Sequence, residues 1–503
     1  MSQPPDLEPP VPDGDLHALK RRSVHGSAAT FVGQGCRFLL KFAAQILIAR
    51  LLLPADYGLV AMVAPILALT YLFGELGLGQ AVILQRDVTP AEASTLFWFC
   101  LLLNLALAAG LALLSPAIAW LYHEPRTIPV TLALAALLPV AGLAGQPAAL
   151  LNRDMRFAAL AILDVVPPAV SLAAGFAAAW SGWGYWSLVS AAAAETAATV
   201  VLAWSLSDWR PVRPVYDPRI RRLIRVGGHI TAYNLAGYAT TSFDNILLGA
   251  VQGSVPLGLY DRGYRLAVQP VTQLMTPIGR IAVPLLTRLR HDERRYKRAY
   301  LDMLRLMMLV GVPGIIFAMT MARPVILTLL GVRWAGVAPV FSWLCLGSLA
   351  SPIYASTFWL FTTQEGTGRQ VTYVAAVSVI SVLSFVAGLP WGPAGVAAGG
   401  GLSFLMVSTP LACWGATKNG VVTAADLAAA LLPLLIAALT TAAALAIARS
   451  YLAETGAAVL ACAVLLSYGT FAGTLLCLPF GQPVIRRAWD LGLILTQGAR
   501  VAP

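Results

Sequence analysis

A chain of 503 residues that is 58% hydrophobic and only 11% charged is not a soluble globular protein, where roughly a quarter of residues carry charge. Its mean hydropathy of +0.75 puts it in a membrane. The formal net charge of +11 sits between apolar segments, where positive-inside topology places it, and not in a nucleic-acid-binding stripe.

The chain opens on MSQPPDLEPPVPDGD, Pro-rich and acidic, followed by Lys20, Arg21 and Arg22. Residues 1–22 read as a disordered cytoplasmic tail without a cleavable signal, and the basic triplet holds the first span's start inside. A span needs about 20 mostly apolar residues to cross about 30 Å. About fourteen segments meet that requirement. The first six lie near 27–50, 58–80, 93–120, 127–150, 157–180 and 185–206. Six more lie near 223–250, 257–284, 301–322, 336–361, 371–389 and 393–415, and the last two near 424–448 and 456–478.

With the N-terminus inside, the outer connections carry Arg50, Arg126, Arg323, Arg333 and Arg449. The inner ones carry Arg86, Arg153, Arg156, Arg369 and Lys418, and two clusters at 210–222 and 288–298. That bias keeps both termini in the cytoplasm. No connection is long enough for a catalytic domain. The six cysteines, at 36, 100, 345, 413, 462 and 477, fall in apolar segments without a CxxC pair; they read as small core residues, neither disulfides nor metal ligands. No metal or cofactor is expected.

The polar, proline-interrupted stretch Ser207–Arg222 divides the chain. Residues 23–206 form a first lobe of six spans, 207–222 a cytoplasmic linker and 223–419 a second lobe of six. Residues 420–503 hold the last two spans and a cytoplasmic tail. An internal repeat agrees with this division. ILIARLLLPADYGLV from Ile46 aligns with ILLGAVQGSVPLGLY from Ile246, an offset of 200, whereas Trp183-Gly184 aligns with Trp391-Gly392, an offset of 208. The extra eight residues are expected around Arg323–Val337.

The apolar segments are not uniformly apolar. In the first, Gln34, Arg37, Lys41 and Gln45 recur at steps of three and four and share a helix face. The eighth opens with Asp261, Arg262 and Arg265, and the face continues through Gln269, Thr272, Thr276 and Arg280. Each central arginine turned to lipid would cost about 2.5–3.5 kcal/mol on insertion scales, so the second stripe must line a wet cavity or meet protein; Arg37 and Lys41 either snorkel to the headgroups or line a cavity, which their depth from the span start at Ser27 favours. Asp261 can pair with Arg265 four residues on, which leaves Arg262 and Arg280 less compensated. Pro270, Pro277 and Pro284 make this helix a candidate for kinking. Acids lie in other spans: Glu75, Asp164, Glu195 and Asp244. Each can serve as a counter-ion or as a proton-coupling group; Glu75, Asp164 and Asp244 are the coupling candidates. The substrate-binding candidates are Arg37, Lys41, Arg262, Arg265, Arg280, Gln34, Gln45 and Gln269, a cationic set suited to phosphate or pyrophosphate.

RLLLPADYGLVAM, FGELGLGQAVI, FDNILLGA and LGLYDRGYRL, with the later VPLLTRLR, resemble the Wzx-type polysaccharide-transport flippases, especially the WzxC-like branch. These belong to the MOP exporter superfamily, with the MATE drug exporters and the lipid II flippase MurJ. The resemblance implies an all-α integral membrane fold: two pseudo-repeated six-helix lobes in a V, about 14 transmembrane helices with the two C-terminal ones. It implies a bacterial inner-membrane flippase moving an undecaprenyl-pyrophosphate-linked oligosaccharide between leaflets, in exopolysaccharide or lipopolysaccharide biosynthesis. Polysaccharide polymerase and chain-length proteins would be its partners. The family's cationic cavity maps onto Arg37, Lys41, Arg262 and Arg265 by position and helical face.

Two other classes fit less well. A cation-coupled drug exporter wants an acidic cavity, and these stripes have the opposite sign. A membrane polymerase or glycosyltransferase wants a sizeable outer loop with catalytic groups, and the outer loops hold little beyond His123, Glu124 and Glu454. The nucleotide-binding G-x-x-x-x-G-K is absent.

Overall fold

Helices form where hydropathy places them. A computed structural model describes residues 33–75, 89–214, 242–364, 367–418, 420–451, 455–478 and 481–482. The expected N-terminal tail, residues 215–222 of the linker and the C-terminal tail from 483 lie outside the described residues.

Every regular element among the described residues is helical. In chain order these are α1 (33–49), α2 (Pro54–Glu75), α3 (Pro90–Tyr122), α4 (Thr127–Arg153), α5 (Phe157–Trp180) and α6 (Trp186–Leu206). Then come α7 (242–252), α8 (Ser254–Leu289), α9 (Glu293–Thr320), α10 (Ala322–Leu329), α11 (Val337–Ser348) and α12 (Ser351–Thr363). The last are α13 (Thr367–Gly388), α14 (Gly392–Ser403), α15 (Thr409–Thr417), α16 (Ala424–Arg449) and α17 (Ala457–Cys477). Among the described residues, 10 helical stretches are long and apolar enough to cross a bilayer, and one of them, Arg369–Thr417, holds two expected spans. With α1, α7 and α8, every segment expected to span is helical wherever it is described. The protein is a multi-pass membrane protein.

Capping residues set several starts. Thr89 and Glu92 form a reciprocal capping box before α3, with Pro90 at the first helical position. Thr423 and Asp426 do the same for α16, and Asp292 accepts from the Arg295 amide to open α9. Gly253 turns the chain between α7 and α8 at φ 84°, a conformation that costs glycine nothing. α8 then runs on through Pro270, Pro277 and Pro284 as one helix. Its 36 residues make it about 54 Å long at 1.5 Å per residue. That outruns the hydrocarbon core, so α8 extends beyond it.

The helices divide into two compact units, one of residues 1–52 and 63–238, the other of residues 53–62 and 239–503. In the first, α5 packs on α6, and α4 on both α3 and α6. A side chain at Gly175 would meet Ala191 and Ile48, and the Ser171 hydroxyl donates to the Ala191 carbonyl at 2.9 Å. Beyond α6 the extended stretch 207–214 is pinned to α3. The Val212 amide donates to Ser94 Oγ at 3.1 Å, Trp98 Nε1 donates to the Val212 carbonyl at 3.1 Å, and the Phe97 ring meets Trp98, Trp204 and Trp209 edge-on.

In the second unit α8 packs on α9, α11 and α12. Buried Tyr296 and Tyr300 on α9 reach Thr363 at 2.6 Å and Ser356 at 2.8 Å on α12. α11 and α14 touch through Gly347 and Gly401. Residues Phe404–Ser408 form a π turn between α14 and α15. α16 and α17 pack on one another and on α9; Ser467 donates to the Pro313 carbonyl at 2.8 Å and Tyr468 to that of Val310 at 2.8 Å. The cysteines are all free; Cys345 is buried, but Cys462 and Cys477 face outward on α17, contrary to the core position expected of them.

The internal repeat has a structural counterpart. The first turns of α2, through Met62, belong to the second unit and cross the start of α8. A Cβ at Gly58 would overlap the Ser254 carbonyl, and a Cβ at Gly258 would overlap the Pro54 carbonyl. Both pairs, 54 with 254 and 58 with 258, keep the offset of 200. The crossing is therefore reciprocal: equivalent residues contact one another across a local pseudo-twofold axis. Between α9 and α11 lies α10, followed by a 3-10 turn at Val332–Trp334, whereas only residues 123–126 separate α3 from α4. The extra residues of the second half lie there, as the shift in offset requires.

Candidate functional site

In the first unit the polar face of α1 meets acids on α5 and α6. Arg37 Nη1 lies 2.9 Å from Asp164 Oδ1, with side-chain exposures of 49% and 20%. Lys41 Nζ lies 3.0 Å from Glu195 Oε1, at 44% and 29%. The four-residue spacing on α1 thus presents two cations, and Asp164 and Glu195 neutralise them from two different helices. Both cations keep accessible surface after pairing. Gln34 is exposed and Gln45 half-buried on the same helix. Glu75 ends α2; its side chain lies outside the described residues.

In the second unit the start of α8 holds a tighter cluster. Asp261 and Arg262 are 6% and 5% exposed. Arg262 Nη2 donates to Asp261 Oδ2 at 2.7 Å, and Arg265 Nε donates to both Asp261 oxygens at 2.9 Å. The expectation that Arg262 is poorly compensated is corrected here: one carboxylate serves both arginines, because residues one and four positions on lie within about 100° of it around the helix. A second partner was not visible in the charge pattern. The Tyr57 ring lies under the Arg262 guanidinium, 4.0 Å from its carbon, and Trp334 meets Tyr57 edge-on with centroids 5.4 Å apart. Both aromatics are buried, at 4% and 0% exposure.

Arg265 differs from Arg262. Its side chain keeps 35% exposure, and only its Nε is committed to Asp261; among the described residues no partner reaches its two terminal nitrogens. Further along α8, Gln269 is half-buried and Arg280 exposed. The π-face of Tyr57 escaped the sequence reading because its partner is 205 positions away; the repeat at offset 200 was the signal that put these two helix starts together.

Asp244 on α7 is 5% exposed. It accepts from the Tyr260 hydroxyl at 2.7 Å and from the Asn245 amide at 2.9 Å. No cation pairs with it among the described residues. Asp164, by contrast, is committed to Arg37. Outside the membrane, Glu124 lies 2.8 Å from Arg126; hydrogen bonding from that guanidinium holds its carboxyl below the usual range, the wrong direction for a general acid. Among the described residues no group of His, Cys, Asp and Glu has the makings of a metal site.

The ion-paired acids Asp164 and Glu195 lie on helices long and apolar enough to span a bilayer, and every regular element among the described residues is helical, so the class is a polytopic helical membrane protein. The fold resembles that of the lipid II flippase MurJ in an inward closed conformation, with a TM-score of 0.68 at 14% identity over 90% of this chain and 98% of that one. The chain belongs to the polysaccharide biosynthesis protein family, whose model matches residues 47–339. It is 24% identical to the succinoglycan biosynthesis transport protein ExoT of Rhizobium meliloti, over 70% of this chain and 71% of that protein. It is 20% identical to the lipopolysaccharide biosynthesis protein WzxC of Escherichia coli, over 67% and 70%.

Proposed function

We propose that this protein is a flippase that carries an undecaprenyl-pyrophosphate-linked oligosaccharide from the cytoplasmic to the periplasmic leaflet by alternating access. It would reside in the bacterial inner membrane with both termini cytoplasmic and work beside polysaccharide polymerase and chain-length proteins, without catalysing sugar transfer. The observation that carries this reading is the accessible cationic surface retained at membrane depth. Arg37, Lys41 and Arg265 each hold an acid partner and still expose charge. A diphosphate is the substrate group that such a set fits, since guanidinium binds it in a bidentate fork. Succinoglycan transport by ExoT, as its name states, supports the same class of cargo. Gln34 and Gln45 are further candidates beside the α1 cations, and Gln269, Arg262 and Arg280 along α8, where amides suit sugar hydroxyls.

Coupling to an ion falls to Asp244 in this reading. A buried carboxylate with a phenol and an amide but no cation is poised to bind and release a proton. Asp164 serves Arg37 instead, and Glu75 remains a candidate on sequence grounds.

The test is genetic and biochemical together. Arg265→Ala, and Arg37→Ala combined with Asp164→Ala, should each abolish surface polysaccharide while membrane levels of the protein hold. Normal polysaccharide in both variants would refute the assignment of the cations to substrate.

A further inference from the structure

We infer that Tyr57 is a positioning residue for the diphosphate-binding site: it fixes Arg262, and through Arg262 and Asp261 it aims the open fork of Arg265. The inference rests on the reading that Arg265 meets the diphosphate.

The geometry runs in one direction. Trp334, fully buried, sets its ring against Tyr57 with an interplanar angle of 74°. Tyr57 lies in the first turn of α2, where Pro54 opens the helix and the Leu53 amide donates to Asp56 Oδ2 at 2.9 Å. The Gly58–Gly258 crossing brings that turn against α8 backbone to backbone. The Tyr57 ring therefore has little freedom. It offers its face to Arg262, whose Nε has no acceptor among the described residues. A buried guanidinium with an unused donor needs compensation. Here the aromatic face and the Asp261 carboxylate supply it.

Asp261 is the shared element. Its Oδ2 accepts from Arg262 Nη2 and from Arg265 Nε, and its Oδ1 from Arg265 Nε alone. With Arg262 held on the Tyr57 ring, Asp261 is held too, and Arg265 is gripped by Nε only. Its terminal nitrogens then project together as a planar pair. Without the ring, Arg262 would compensate its burial by taking both Asp261 oxygens. Arg265 would lose its grip and its orientation. The Tyr57 hydroxyl makes no hydrogen bond among the described residues, so the ring and not the hydroxyl does this.

The test uses the full chain in nanodiscs, with geranylgeranyl diphosphate and geranylgeranyl monophosphate as probes. Binding of each is measured by equilibrium titration on folded, monodisperse protein. Arg265→Gln should weaken the diphosphate about thirtyfold or more, the loss of a charge-assisted pair of hydrogen bonds. Tyr57→Leu should weaken it about tenfold, within the range of a desolvated cation–π contact, and should erase the preference for diphosphate over monophosphate. Tyr57→Phe should restore both affinity and preference. Arg262→Lys, which keeps charge but loses the planar stack, should reproduce Tyr57→Leu and stands in for it if that variant does not fold.

If Arg265→Gln binds the diphosphate as the wild type does, the reading beneath is wrong. If Arg265→Gln is weakened while Tyr57→Leu and Arg262→Lys keep wild-type affinity and preference, the positioning role is overturned and the reading survives. Equal weakening of both probes, or failure of Tyr57→Phe to rescue, also overturns it.

Discussion

Gly58 and Gly258 are the most sharply constrained positions in the second unit, and replacing either by alanine tests the reciprocal crossing. A methyl on Gly58 would stand 2.5 Å from the Ser254 carbonyl carbon and 2.9 Å from its Cα; a methyl on Gly258 would stand 2.9 Å from the Gly58 nitrogen. Ordinary contact begins at 3.4 Å, and the Ser254 carbonyl oxygen lies nearer still, so the first substitution requires the helices to part by well over about 0.9 Å, and no flexible side chain can yield in their place. Overpacking of this kind costs about 1–3 kcal/mol. With backbone set against backbone the cost falls at the upper end of that range, and glycine-to-alanine in a helix returns up to about 1 kcal/mol, so each variant should be destabilised by about 2 kcal/mol net or more. The double variant should lose less than the sum, because the second methyl enters a gap that the first has opened. Gly110→Ala is the control: nothing lies within 4 Å of its Cβ position, and it should be neutral or slightly stabilising. Equilibrium unfolding of purified protein in mixed micelles reads all four variants. Neutral Gly58→Ala, or strict additivity in the pair, would refute the crossing.

Three further outcomes are expected. Arg37→Ala should lower the amount of protein in the membrane by leaving Asp164 a lone charge, and Arg37→Ala with Asp164→Ala should restore the amount but not transport; immunoblotting beside a surface-polysaccharide assay separates the two effects. Asp244→Asn should keep the fold, since an amide oxygen still accepts from Tyr260, but should remove any dependence of transport on a proton gradient, measured in vesicles with and without an ionophore. Thr423→Ala removes the cap of α16 and one of the partners of Asp426, which Lys297 also grips at 2.7 Å; a loss of about 1 kcal/mol is expected in the same unfolding assay.

The spans were legible because a bilayer leaves helices few alternatives and demands about 20 apolar residues from each. The α1 stripe was legible because Arg37 and Lys41 share a face at four-residue spacing; that their partners would be Asp164 and Glu195 was not, since pairing between helices depends on packing that no local pattern encodes. The same limit hid Tyr57 and Trp334. Trp334 in particular sits in the extra residues between α9 and α11, a stretch that looks like loop by composition yet folds as a 3-10 turn and fills the core. The Asp261–Arg265 pair was visible at i,i+4, and the Arg262 bond was not, because neighbours in sequence point about 100° apart on a helix and meet only when both side chains bend toward one another.

Under the proposed function these pairings bear on how a flippase holds its cations before substrate arrives. An unpaired arginine at membrane depth is expensive, and so a site that must receive a diphosphate cannot wait as bare positive charge. Here Arg37, Lys41 and Arg265 each wait on a carboxylate while keeping accessible surface. An arriving diphosphate then has two ways to bind: it can displace the acid or share the cation. Displacement would leave the carboxylate without its cation, which is costly at membrane depth. Sharing avoids that cost where the arginine has spare donors, as Arg265 does. Arg265 is thus suited to first contact with substrate. Lys41, a single ammonium already 3.0 Å from Glu195, is suited to exchanging partners as the carrier changes state. The distinction predicts that Lys41→Arg, which adds spare donors, would strengthen diphosphate binding and slow its release. Faster release from that variant, in a dissociation assay with geranylgeranyl diphosphate, would contradict it.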